Sequence, residues 1–130
     1  MSLAALRMLL AVTCSAVIAA APDAFAQELI KNGDTLTGQL RLVREEHPNG
    51  TPINAFQIVS APRKMPATDD FCDGPASTFH IVAIDSTKGD QLRALLGRTV
   101  SLKADELFCS HTAWHIGDAV VLKWSALAPR

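Results

Sequence analysis

The chain has 130 residues, a formal net charge of −1, and 5% aromatic side chains with no tyrosine. Near-neutrality argues against electrostatic binding to nucleic acid or an anionic membrane, which needs a basic face. So few aromatics also leave few platforms for stacking bases.

Residues 1–26 have the order of a secretory signal peptide. Arg7 supplies the positive charge, an apolar run begins at Met8, and Ala24-Phe25-Ala26 forms a small-x-small cleavage site. The run is too short, and too soon followed by Pro22, for a transmembrane helix of about 20 apolar residues. Cys14 follows Thr13 inside the run, where no lipobox ends, and reads as filler. The expectation is a periplasmic or secreted protein with no stable membrane anchor. Cleavage leaves a polar, loose lead-in over 27–33 and one domain over 34–130. Cys72 and Cys109 then sit in an oxidising compartment, where a disulfide between them is expected. By loop closure it would contribute about 4 kcal/mol.

Leu36, Gly38, Leu40 and Leu42 alternate with Thr35, Thr37, Gln39 and Arg41, which predicts a half-buried strand bent or bulged at Gly38. His47-Pro48-Asn49-Gly50-Thr51-Pro52 predicts a hairpin turn, leading to a second strand over 55–59. Asn49-Gly50-Thr51 also matches a glycosylation sequon, but the turn accounts for it fully. Residues 61–77 read as a loop, with Pro62, Pro66, Pro75 and the acidic Asp69, Asp70 and Asp73 around Cys72. Their spacing is not that of a calcium-binding loop. A third strand over 78–84 is apolar on both faces except for His80, so it should be central, with His80 packed and hydrogen-bonded.

Residues 85–97 form the expected helix, with Thr87 and Asp90 as caps, an apolar stripe at Leu92, Leu95 and Leu96, and Gly97 after its end. The fourth strand, 99–109, turns Val100, Leu102 and Ala104 inward. Leu107 and Cys109 resume on the opposite parity, which predicts a bulge near Asp105-Glu106. The fifth, 118–125, points Val120, Leu122 and Trp124 one way. The order β-β-β-α-β-β is that of a small five-stranded oligonucleotide/oligosaccharide-binding (OB) barrel, mainly β with one helix. Another small barrel, or a sandwich with one helix, has the same elements.

Chemistry concentrates in His111-Thr112-Ala113-Trp114-His115, flanked by Cys109 and Asp118. Two imidazoles four apart, with Asp118, could hold zinc or copper, completed if need be by His80. Against this, no glutamate follows His111 and Cys109 is better used in the disulfide. The plainer arrangement is a loop whose histidines bond the backbone while Trp114 packs on the barrel mouth. A third reading makes His111, Trp114 and His115 a ligand or partner face, since this barrel engages ligands through its last loop. Enzyme signals are missing: Ser77, Ser86, Ser101 and Ser110 lie in no nucleophile elbow, and no glycine-rich phosphate loop occurs.

Leu96-Gly97-Arg98-Thr99-Val100-Ser101-Leu102, then Leu107-Phe108, His111-Thr112-x-x-His115 and Val120-Val121-Leu122 resemble the ending of a family of small exported bacterial domains. Leu36-Thr37-Gly38-Gln39-Leu40 matches that family's first strand loosely. The family has a glycine where this chain has Ala104-Asp105, and Cys109 lies outside its pattern. The resemblance implies an OB-like fold and export, with no activity. The expectation is an exported, non-enzymatic module without a cofactor. It would bind a protein, peptide or small ligand through the 109–118 loop, in the manner of an inhibitor or immunity protein; the alternative is a metal-binding exported protein.

Overall fold

A computed structural model describes residues 28–130, so the expected signal peptide and Gln27 lie outside the described residues. Six strands and one helix follow in order: β1 (Glu28–Leu29), β2 (Asp34–Glu46), β3 (Pro52–Lys64), β4 (Ala76–Ile81), α1 (Ser86–Arg93), β5 (Thr99–Cys109) and β6 (Ala119–Pro129). Strands β2 to β6 close into a mixed five-stranded barrel, consistent with a small OB-like fold, and β1 is an addition outside it.

Closure depends on β2 serving two partners. Its first half pairs with β5 from Asp34 to Gln39, and its second half pairs with β3 from Gln39 to Glu46. The switch requires a sharp bend, and Gly38 sits there as the alternation predicted. A Cβ at Gly38 would lie 2.2 Å from the Val59 carbonyl oxygen and 2.8 Å from Ile58 Cγ2, so no other residue fits without backbone movement. On the far side, β4 runs parallel to β6 and antiparallel to β3, so neither of its edges is free. That is the central position expected for an apolar strand.

Parity along the strands fills the barrel. Leu36 and Leu40 from β2, Ile58 from β3, Phe79 and Ile81 from β4, and Val100, Leu102 and Ala104 from β5 make one core. The predicted bulge is present: the β5–β6 register breaks between Ala104 and Glu106, and again between Glu106 and Leu107. The same irregularity changes the inward set of β6. Ala119, Val121 and Trp124 reach the core cluster, rather than the expected Val120, Leu122 and Trp124. Leu107 lies opposite Val121 and Glu106 opposite Lys123, so the alternation of β6 slips at Leu122.

Helix α1 closes one end of the barrel with Leu92, and its cap is Asp85, which accepts from the Lys88 N–H at 2.8 Å, not the expected Thr87 or Asp90. Lys88 extends over the Trp124 ring at 4.0 Å and donates to the Trp124 carbonyl at 2.8 Å, tying helix to β6. The lead-in is more ordered than its polarity suggested. Glu28 and Leu29 pair with Arg63 and Lys64, and Ile30 is 0% exposed in the core beside Met65. Pairing of this kind extends β3 to Lys64 and shortens the expected loop at that end. None of the described helices is long and apolar enough to cross a membrane.

Gly38→Ala is therefore predicted to destabilise the domain by about 3 kcal/mol, the upper end for forced overpacking. Urea denaturation of both proteins measures it; a change under about 0.5 kcal/mol, the usual scatter of a neutral surface substitution, contradicts the close approach at Val59.

Candidate ligand-binding face

Three loops meet on one face of the barrel: the β2–β3 turn, the 65–75 loop and the 110–118 loop. Each is held by bonds specific to its sequence. In the turn, Asn49 Oδ1 accepts from Thr51 N–H at 2.9 Å and His47 Nδ1 accepts from Asn49 N–H at 3.1 Å, with Gly50 at positive φ. The 65–75 loop is fastened to the end of β5 by the expected Cys72–Cys109 disulfide, with Cα atoms 5.2 Å apart, inside the ordinary range. Asp69 adds a second tie, accepting from the Cys109 N–H at 2.6 Å.

The 110–118 loop is bound from beneath. Gln57, 4% exposed, faces His80 across the β3–β4 pair. Gln57 Nε2 donates to the Ile116 carbonyl at 2.8 Å, while the Ile116 N–H donates to His80 Nδ1 at 3.1 Å. The Arg41 guanidinium donates to Gln57 Oε1, which fixes the amide orientation. Gly117 follows at φ 144°; a Cβ there would lie 2.9 Å from the Thr78 carbonyl oxygen and 3.2 Å from Gln57 Nε2. Asp118, an expected metal ligand, spends its carboxylate on the start of β4. It accepts from the Ser77 N–H at 3.0 Å and the Thr78 N–H at 3.2 Å.

His111 and His115 do come together, their rings meeting edge to face at 4.7 Å. Their bonding assigns opposite tautomers. The His111 Nδ1–H donates to the Cys109 carbonyl at 3.2 Å, leaving Nε2 with its lone pair. His115 Nδ1 accepts from the His111 N–H at 3.1 Å, so its own proton sits on Nε2. Each ring thus has its Nδ1 engaged by the backbone of the same loop. Among the described residues, one group of three has donor atoms within mutual reach of an ion: Asp69, Cys72 and Cys109, whose sulfurs are joined.

Around this pair the loops gather aromatic rings. Phe71, held beside Cys72, stacks on His111 at 4.6 Å, and Phe108 approaches His111 and His115 at 5.4 and 5.5 Å. Trp114 stacks on His47 of the hairpin turn at 3.8 Å and 21°. Phe71 and Trp114 are large apolar side chains left 60% and 46% exposed. All of the chain's histidines, His47, His80, His111 and His115, therefore lie in or against the 110–118 loop. A groove of about 320 Å³ runs alongside, lined by Phe71, Asp73, Pro75, Ser110, Gly117 and Asp118.

The sequence pointed to His111, Trp114 and His115 but not to Phe71, His47 or Gln57. Two of these carried a signal. Phe71 precedes Cys72 and His111 follows Cys109 by two, so the disulfide alone brings them near. His47 lies in the loop that an OB-like order places beside the last one. Gln57 carried none.

Burial, and then the charge of His115, holds His80 below the ordinary imidazole range; burial, and then the charge of His111, does the same to His115. A depressed folded-state pKa means the unfolded chain binds the proton more tightly. The stability these groups contribute is complete above their unfolded value of about 6.5 and is lost as pH falls through the folded one. The melting temperature is predicted to drop as pH falls below about 6.5 and through the lowered values of those imidazoles. A flat or rising profile over that range contradicts the assignment.

No family model, characterised relative or solved structure matches the chain.

Proposed function

We propose that the protein is an exported, non-enzymatic binding module whose contact face is the 109–118 loop together with Phe71 and His47. The observation that carries this reading is the pair of half-exposed rings, Phe71 and Trp114, each stacked on an imidazole of a neighbouring loop. Exposed aromatics are unfavourable in water unless something covers them, and loop-borne aromatics are the usual anchors of a partner interface. Here they are held by ring stacking, a disulfide and backbone bonds, so little order has to be gained on binding.

Location on the barrel supports the same reading. OB-like barrels engage ligands on the face of their second and third strands and on the loops after the first and fourth. In this chain those are β3, β4, the His47 turn and the 110–118 loop. A net charge of −1 favours a protein, peptide or sugar surface over nucleic acid. A small disulfide-tied domain presenting rigid aromatics suits an inhibitor-like role, filling a pocket on another exported protein.

The test is capture from a periplasmic extract with the immobilised mature protein and its Trp114→Ala and Phe71→Ala variants. A specific partner should be retained by the wild type and weakened by about 2 kcal/mol or more in the Trp114→Ala variant, the size of an anchor's contribution. Equal affinity for all three proteins overturns the assignment of this face.

A further inference from the structure

We propose that the 110–118 loop is a pH-sensitive latch, closed by neutral His80 and released when that ring takes up a proton. The geometry rests on one buried residue. Ile116 has both of its backbone polar groups bound by the cross-strand pair beneath it: Gln57 Nε2 gives a hydrogen to its carbonyl, and His80 Nδ1 receives one from its N–H. A backbone N–H is a donor only, so the His80 nitrogen facing it must carry a lone pair. The ring is then neutral, with its hydrogen on Nε2.

Protonation adds a hydrogen at Nδ1. The Ile116 N–H would then point at another N–H, and a buried donor would lose its acceptor. Gln57 cannot compensate, because Arg41 holds its oxygen and leaves only the amide NH₂ to face the loop.

The groups facing His80 do not offset the new charge. Gln57 on β3 is neutral and has the Arg41 cation of β2 bonded behind it, and Val120 is its apolar neighbour on β6. His115 in the loop repels a second positive charge and contributes to the low affinity of His80 for its proton. The nearby carboxylate of Asp118 is engaged by the Ser77 and Thr78 N–H groups. Lifting Ile116 would release the segment that carries His111, Trp114 and His115, and would uncover the β3–β4 surface. If the proposed binding face is correct, its ligand is held near neutral pH and let go in mild acid; this consequence rests on that reading, while the latch itself does not.

The experiment needs no ligand. Amide hydrogen exchange and ring resonances of the mature protein are followed by NMR from about pH 7.5 downward until the His80 ring has titrated, corrected for intrinsic exchange. Protection of the Ile116 amide should fall roughly tenfold, the scale of losing a buried hydrogen bond, with the same midpoint as the His80 ring, while β5 and β6 amides stay protected. His80→Asn places a carbonyl oxygen that does not titrate near Nδ1, and its Ile116 amide should show no such fall. The latch is overturned by any of four results. These are a pH-independent Ile116 amide, different midpoints for amide and ring, loss of core protection in step with Ile116, or an unchanged profile in H80N.

Discussion

The two polar groups of the Ile116 peptide backbone are the point on which the loop face of this barrel depends. An apolar side chain drawn under a loop drags its own N–H and C=O out of water, and each must find a partner there. Gln57 and His80 provide them from adjacent positions on paired strands, and Arg41 sets which end of the Gln57 amide faces up. Gly117 then lets the chain pass close over the Thr78 carbonyl, and Asp118 locks the segment to the start of β4.

Covalent and polar ties work together at the neighbouring loop. The Cys72–Cys109 bridge brings the 65–75 segment against the end of β5, and Asp69 uses the approach to satisfy the Cys109 N–H. Phe71 is thereby delivered to the His111 ring. Contacts of this sort are modest singly, about 0.5–1.5 kcal/mol for an aromatic pair. Their larger effect is to hold the exposed rings in one arrangement.

Much of the barrel was legible in the chain because its signals are local. Alternation marks β2 and β5, Asn49-Gly50 marks the hairpin, and the change of parity at Leu107 marks the bulge. What was hidden depends on pairing between distant residues. The inward set of β6 could not be read from β6 alone, since the slip at Leu122 answers an irregularity in β5. Nor could the lead-in, where Ile30, the one buried side chain among its described residues, is held by the Lys64 carbonyl and packs in the same cluster as Met65. The site divides in the same way. His111, Trp114 and His115 announce themselves by composition, whereas Gln57 is one polar residue in a strand until the fold sets it beneath Ile116.

The double allegiance of β2 has a consequence for how the molecule comes apart. Residues up to Gln39 belong to the ladder with β5 and those from Gln39 onward to the ladder with β3. Because β4 joins β3 to β6, the circuit of strands has no seam along which one part could detach and leave the rest paired. Freeing any barrel strand means breaking ladders on both of its sides, which favours cooperative opening. Loops attached to such a ring fluctuate on a frame that does not give, and their movements need not propagate into the core. A domain of this kind can let one surface segment rise and fall many times within the lifetime of a single folded molecule.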